Sequence, residues 1–519
     1  MSQFRYNLAQ GLRGNGANFL KLNISNPHIS AIFLLLLLLV VISLPIFHPT
    51  NLSGDIEMVM HPAKVFSKTG RLENTDQLTP AQLLRFNNSV ITNSFGLNYL
   101  GPVFLFALAI KIFGATDFTF FLVQSLFWLI LFLLTVRLFK DLAVATIVFF
   151  ILVFFDSFDG GTYASPTQLP VICLYVALWG DWNFSRSYKS LLLLGSILGL
   201  GLSFRPETLF LILIYVANLL LNKSRNKSWL ALVFSAAVVY LALEKIRLWL
   251  GGCSSADHTF YNVGTDIFAP GWFVVNVEKT TPLNQLFTDP ILRKKLTAKL
   301  IHAFNRTFAI DTFLFFRKDF FFLGYVVFAL TFRSGKTKKY LELISLFSFQ
   351  FILNSFLNDV PRYYDYVFVL MGLQMFQDFG SELRSAVNSN ANLKYFPIAL
   401  ILLIILAAQS ARGIYKQRNY YSLTEKDYRS KMERIVKSFS NTDIILSNNG
   451  PDLLWYGNAK LVIVAPQYAT TMSKVINRFP QSMVVYFTQV PNGIYEGLIP
   501  LEKYNRRQLS DDIVLLSPQ

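Results

Sequence analysis

The sequence predicts an α-helical polytopic membrane protein of about eleven transmembrane helices, with outer-face interfacial helices and a small C-terminal α/β soluble domain. Three observations point there. Hydrophobic residues make up 53% of the 519, and they fall in long uncharged runs instead of being scattered. A backbone that crosses lipid must satisfy its polar groups within its own segment, so such runs read as membrane helices. The basic residues gather in short loops beside the runs, where positive charge sets orientation. Beyond 411 the composition changes, and charged and polar residues return between short alternating runs.

The first run, 30–47, follows Arg5, Arg13 and Lys21. It is too long for a signal-peptide core and lacks a clear small-residue cleavage site, so it reads as a retained first span. The further spans are expected at 118–136, 142–155, 169–179, 191–202, 208–221, 229–243, 320–332, 340–357, 366–376 and 395–408. The run 98–113 is ambiguous. Counting it as a span would make twelve and flip everything after it. Without it, the basic loops fall together on the side of the N-terminus: Arg137/Lys140, Arg186/Lys189, Lys223/Arg225/Lys227, Arg333/Lys336 and Arg384/Lys394. The positive-inside bias therefore makes 98–113 an interfacial helix on the outer face.

That topology puts the N-terminus in the cytoplasm. The loops 48–117 and 251–319 and the tail 412–519 are then outside, as expected for an integral multi-pass protein. In the tail, 443–446, 460–465 and 482–487 read as strands between helices. There is no internal repeat and no low-complexity tract. The formal net charge of +16 is accounted for by the loop residues, so no nucleic-acid partner is expected. Cys173 lies in an apolar run and Cys253 in a loop, which offers neither a disulfide framework nor a zinc spacing.

Chemistry is to be sought on the outer face. Asp55 and Glu57 follow the first span almost at once. An acidic pair at the mouth of a helix bundle can act as a general base or hold a divalent cation, or it can be solvated loop carboxylate. Asp156 and Asp159, between two spans, could join the same site or could cap helices and form turns. Arg205 stands in SFRPET and Arg362, followed by Tyr363, in VPRYYDY. An arginine at a membrane boundary suits a phosphate or carboxylate, or snorkels to headgroups. The basic segment from Arg293 to Arg306 reads as an amphipathic helix on the membrane surface.

Several pieces, taken in order, resemble the GT-C glycosyltransferases, in particular bacterial members of the family similar to dolichyl-phosphate-mannose protein mannosyltransferases. They are GDIEMVMHPAKVFSKTG in the first outer loop, the interfacial GPVFLFALAIKIFG, and a basic span end, LLTVRLFK. GSILGLGLSFRPETLF, PRYYDYVFVLM and the tail motif ILSNNGPDLLWYGNAKLVIVAP follow. The resemblance implies a GT-C-like catalytic membrane domain, 1–411, and an outer domain, 412–519, in a bacterial inner membrane. It implies an inverting transfer of a sugar from a polyprenyl-phosphate carrier to a lipid, glycan or protein acceptor. Asp55 would then be the catalytic base, supported by Glu57. Arg205, Arg362, Tyr363, Asp156 and Asp159 would serve substrate binding. The chain departs from the pattern at Gln168, where such enzymes often have an acidic residue, and at Ile56, which separates Asp55 from Glu57. Two other classes fit a polytopic chain: a glycolipid transporter or flippase, and a non-catalytic assembly protein. The spans carry almost no charge at mid-depth and show no paired halves, which favours the enzyme over the transporter.

Overall fold

The computed structural model describes residues 57–72, 77–78, 100–139, 167–179, 187–205, 207–221, 228–251, 444–447, 462–464, 480–488, 501–511 and 513–519. It also describes position 477 and short pieces within 145–149, 290–301, 369–377, 432–439 and 453–455. The expected spans at 30–47, 320–332, 340–357 and 395–408 lie outside these residues.

Seven helices are complete enough to name. They are α1 (Glu57–Thr69), α2 (Leu100–Phe113), α3 (Asp117–Phe139), α4 (Gln168–Trp179), α5 (Tyr188–Phe204), α6 (Thr208–Leu221) and α7 (Ser228–Trp249). Each of α3 to α7 contains the run expected for it, and α7 continues beyond 243 to Trp249. Among the described residues, two helices are long and apolar enough to cross a membrane, Phe118–Phe139 and Ser228–Trp249, each of 22 residues. At about 1.5 Å per residue, each reaches roughly 33 Å, against a hydrocarbon core of about 30 Å. On α7 the outward face carries Leu230, Phe234, Val238, Leu241 and Trp249, all exposed. In water so long an apolar face would be an aggregation site; against lipid tails it is at rest. The apolar sequence and these outward faces together describe a polytopic helical membrane bundle.

Inside the bundle, Trp128 and Phe132 of α3 meet Phe149 edge-on, with ring centroids 6.0 and 5.3 Å apart. Helices α5 and α7 approach one another to backbone contact. A methyl group added at Gly195 would overlap the Leu232 carbonyl and the Ser235 hydroxyl, and one at Gly199 would come within 2.5 Å of the Ala236 carbonyl. Without a hydrophobic drive between helices in lipid, such small-residue contacts let backbones pack tightly. Ser187 starts α5 as a capping box, accepting from the Ser190 N–H at 3.2 Å while the Ser190 hydroxyl accepts from the Ser187 N–H at 3.4 Å. The helix stops at Arg205 because Pro206 follows, and the residue before a proline is pushed out of the helical region. Arg205 accordingly sits at φ −158° and ψ 139°.

The tail forms a sheet of order β1-β3-β2-β4-β6-β5. Its strands β2 (Ile444–Ser447), β3 (Val462–Val464) and β4 (Met483–Phe487) match the expected runs within a residue or two. They pair in parallel, β3 and β4 flanking β2. Two further strands were not expected. These are β5 (Tyr504–Ser510) and β6 (Ile513–Pro518), which pair antiparallel to one another, with β6 antiparallel to β4. The edge strand β5 is exposed from Asn505 to Gln508 and so shows no period of two.

The remaining strand comes from far away. The first-loop segment β1 (Gln77–Leu78) pairs in parallel with β3, Gln77 opposite Ile463 and Leu78 opposite Val464. A bilayer cannot pass through a β-ladder, so an even number of crossings separates Leu78 from Val462. A second tie repeats the condition: the Leu72 N–H donates to the Leu250 carbonyl at 2.8 Å, joining the end of the α1 segment to the end of α7. The helix α2 has 14 residues, as has α6, and α4 has 12.

The glycine contact generates a test. Gly195→Ala and Gly199→Ala are each expected to destabilise the bundle by about 1–3 kcal/mol through overpacking. Leu193→Ala, on the outward face of α5, should stay within about 0.5 kcal/mol. Unfolding in mixed detergent micelles, followed by tryptophan fluorescence, measures both.

Candidate functional site

The site is built around the end of α2. Its first residues lie against the close of α5: a methyl at Gly101 would meet the Phe204 ring at 2.5 Å and the Ser203 hydroxyl at 2.8 Å. On its other flank α2 carries α1, whose Val59, Met60 and Ala63 share a buried cluster with Leu100, Val103 and Phe106. The close of α5 and the helix that follows the acidic segment thus both pack on α2.

Of the residues the sequence singled out, Arg205 is placed in full. It is buried. Its Nε donates to Thr167 Oγ1 at 2.8 Å and its Nη1 to Glu207 Oε1 at 2.9 Å. Its own N–H closes α5 on the Gly201 carbonyl at 3.0 Å, and its carbonyl accepts the Thr208 N–H that opens α6. Gly201 is needed here, since a methyl would press Leu174 and Thr208, each at 2.8 Å. The Tyr175 hydroxyl donates to the Glu207 carbonyl at 2.9 Å and fixes the same turn from α4. Glu207 Oε2 is buried with no hydrogen-bond partner. The guanidinium is therefore matched by a carboxylate in a nearly dry setting, and the pair has no net charge. It can present oriented donors and an open carboxylate oxygen, but not an isolated positive charge.

Glu57 is the first residue of α1. Asp55, Asp156, Asp159, Arg362 and Tyr363 lie outside the described residues. Among the described residues, no group of three or more His, Cys, Asp or Glu is placed to hold a metal ion. Nothing in the described structure brings Arg205 together with the other singled-out residues.

Sequence reasoning passed over five participants. Glu207 was visible in Arg-Pro-Glu, where a proline turn brings residues two apart together. Thr167 gave no signal, because its partner is 38 positions away. Lys64 and Trp455 are 391 positions apart, and the Lys64 ammonium donates to the Trp455 carbonyl at 2.5 Å. His61, fully buried on α1, also went unremarked.

Fold and site together define a polytopic helical membrane protein whose first loop and tail form one assembly at an end of the bundle. No protein-family model matches the chain, and no curated protein matches it. Among solved structures the chain is similar to ArnT from Cupriavidus metallidurans in the apo state, with TM-score 0.49 and 12% identity over 94% of this chain and 98% of that one.

Removing one member of the buried pair leaves the other charge unmatched, so Glu207→Gln is expected to lower stability by about 3–5 kcal/mol. Arg205→Met combined with Glu207→Met should cost less than either single change. Thermal unfolding in detergent of the wild type, Arg205→Met, Glu207→Met and the double variant, treated as a double-mutant cycle, gives the coupling.

Proposed function

We propose that the chain is a GT-C-type glycosyltransferase that moves a sugar from a polyprenyl-phosphate carrier to a lipid, glycan or protein acceptor on the outer face of a membrane. The observation that carries this reading is the enclosure of the first loop. The helix that begins at Glu57 shares one buried cluster with α2 and with Trp455 of the tail. The acidic segment leads directly into that enclosed helix, at the end of the bundle where α5 and α6 turn. A carboxylate beside a membrane surface is suited to take a proton from an acceptor hydroxyl. A sugar–phosphate bond is already activated, so a base and donors on the leaving phosphate supply much of what inversion needs.

In this reading Asp55 is the general base and Glu57 its neighbour. Arg362 and Tyr363 hold the lipid phosphate, and Asp156 and Asp159 border the sugar. Arg205, already matched by Glu207, contributes as a fixed donor and not as a free charge. Eleven spans agree with the even number of crossings that β1 and β3 require, and the positive-inside bias is what puts the N-terminus in the cytoplasm and the tail outside. Eleven less the first leaves ten after the first loop, whereas counting 98–113 as a span leaves eleven. A divalent cation at the acidic loop is compatible with the reading but not required by it.

The test is release of free polyprenyl phosphate by the reconstituted full chain, offered a panel of polyprenyl-phosphate sugars with membrane-extract acceptors. Turnover with one donor is expected, reduced at least about 10²-fold in Asp55→Asn. Turnover that survives the substitution would remove Asp55 as the base. Folded protein that turns over no donor would favour a glycolipid transporter or an assembly protein.

A further inference from the structure

Lys64 stands on α1, two turns after Glu57, and is half-buried. Its ammonium donates to the Trp455 carbonyl at 2.5 Å and lies 5.5 Å from the centroid of the Trp455 ring. Trp455 itself is only 3% exposed and packs into the cluster made by Val59 and Met60 of α1, Leu100 and Val103 of α2, and Leu250. An apolar side chain at position 64 would have been enough to bury the indole. A lysine adds two things that burial lacks. It makes a directional bond to a main-chain carbonyl, and it sets a cation against the indole face in a partly dry place, where that attraction is stronger than at a surface. Both fix how the 453–455 segment of the tail is turned relative to α1.

The same stretch is tied twice more. Leu72 bonds to Leu250, and Arg71 Nη1 donates to the Trp249 carbonyl at 3.3 Å, which anchor the end of α1 to α7. Beyond it, β1 completes the edge of the tail sheet at β3. Membrane bundle and tail thus both grip one short helix, and that helix begins two residues after Asp55.

We infer that Lys64 is a positioning residue: held by Trp455, it couples α1, and with it the acidic segment that precedes the helix, to the docked tail. The tail is then a structural part of the catalytic face and not an independent appendage. The catalytic half of this inference rests on the proposed role of Asp55. The mechanical half does not.

The experiment uses the full chain in lipid nanodiscs, as wild type, Lys64→Met, Lys64→Arg and Trp455→Ala. Two quantities are read: hydrogen exchange of the α1 amides by mass spectrometry, and donor turnover. In Lys64→Met and in Trp455→Ala, α1 is expected to exchange about tenfold faster while β4 and β6 keep wild-type protection. In Lys64→Met, kcat should fall about tenfold with the donor KM within about twofold, as a displaced base would give. Lys64→Arg, which keeps the charge and the donor, should restore most of both. Unchanged α1 exchange in both disrupting variants would overturn the coupling. So would faster exchange spread equally over β4 and β6, which would make the contact a general prop of the tail. Faster α1 exchange with unaltered kcat would overturn the positioning role. A wild type inert toward every donor, with α1 exchange still following Lys64, would sink the transferase reading and uphold the coupling.

Discussion

The pairing of Gln77–Leu78 with Val462–Val464 is the constraint on which the rest of the molecule depends. Two segments nearly four hundred residues apart share one ladder, and a ladder cannot straddle a bilayer. The first loop, the end of α7 and the tail are therefore on one side, whatever the exact number of spans between them. The Leu72–Leu250 bond reaches the same conclusion from different residues. The first turn of α2 packs on Phe204, beside the α5–α6 turn.

The bundle beneath is held by two kinds of contact that lipid makes necessary. Glycines on α5 let α7 approach to backbone distance, because apolar burial alone does not drive helices together in hydrocarbon. At the end of α5, the polar groups released by Pro206 are satisfied locally through Gly201, Thr208 and the Arg205–Glu207–Thr167 set. A charged pair at that depth is tolerated because each member answers the other. The same pairing reduces what Arg205 can offer a phosphate.

Much of the fold was legible in the sequence because membrane helices announce themselves by composition. The runs at 169–179 and 208–221 became α4 and α6 nearly residue for residue. Three of the tail strands were legible from short alternating apolar runs. β5 was not, because its exposed Asn505, Arg506, Arg507 and Gln508 leave no alternation to read, and β6 lacks a solvent face to alternate with. β1 could not be seen at all: two residues carry no periodicity, and their partner is set by tertiary structure. The site divides in the same way. Arg205 stood out through its proline and its boundary position. Its pairing to Thr167 and the grip of Trp455 on Lys64 are long-range contacts, and only the folded chain reveals them.

The central claim is that the first loop and the tail are one assembly on one face of the membrane, opposite the basic loops. Impermeant maleimide labelling of single cysteines tests it most directly, with Cys173 and Cys253 replaced by serine. The exposed positions Lys68, Arg507 and Lys189 serve as reporters, the last at the far end of α5 from Arg205. The account predicts that Lys68→Cys and Arg507→Cys label together in intact cells, while Lys189→Cys labels only after permeabilisation. Lys68→Cys and Arg507→Cys reacting from opposite sides, or Lys189→Cys reacting alongside them, would contradict it.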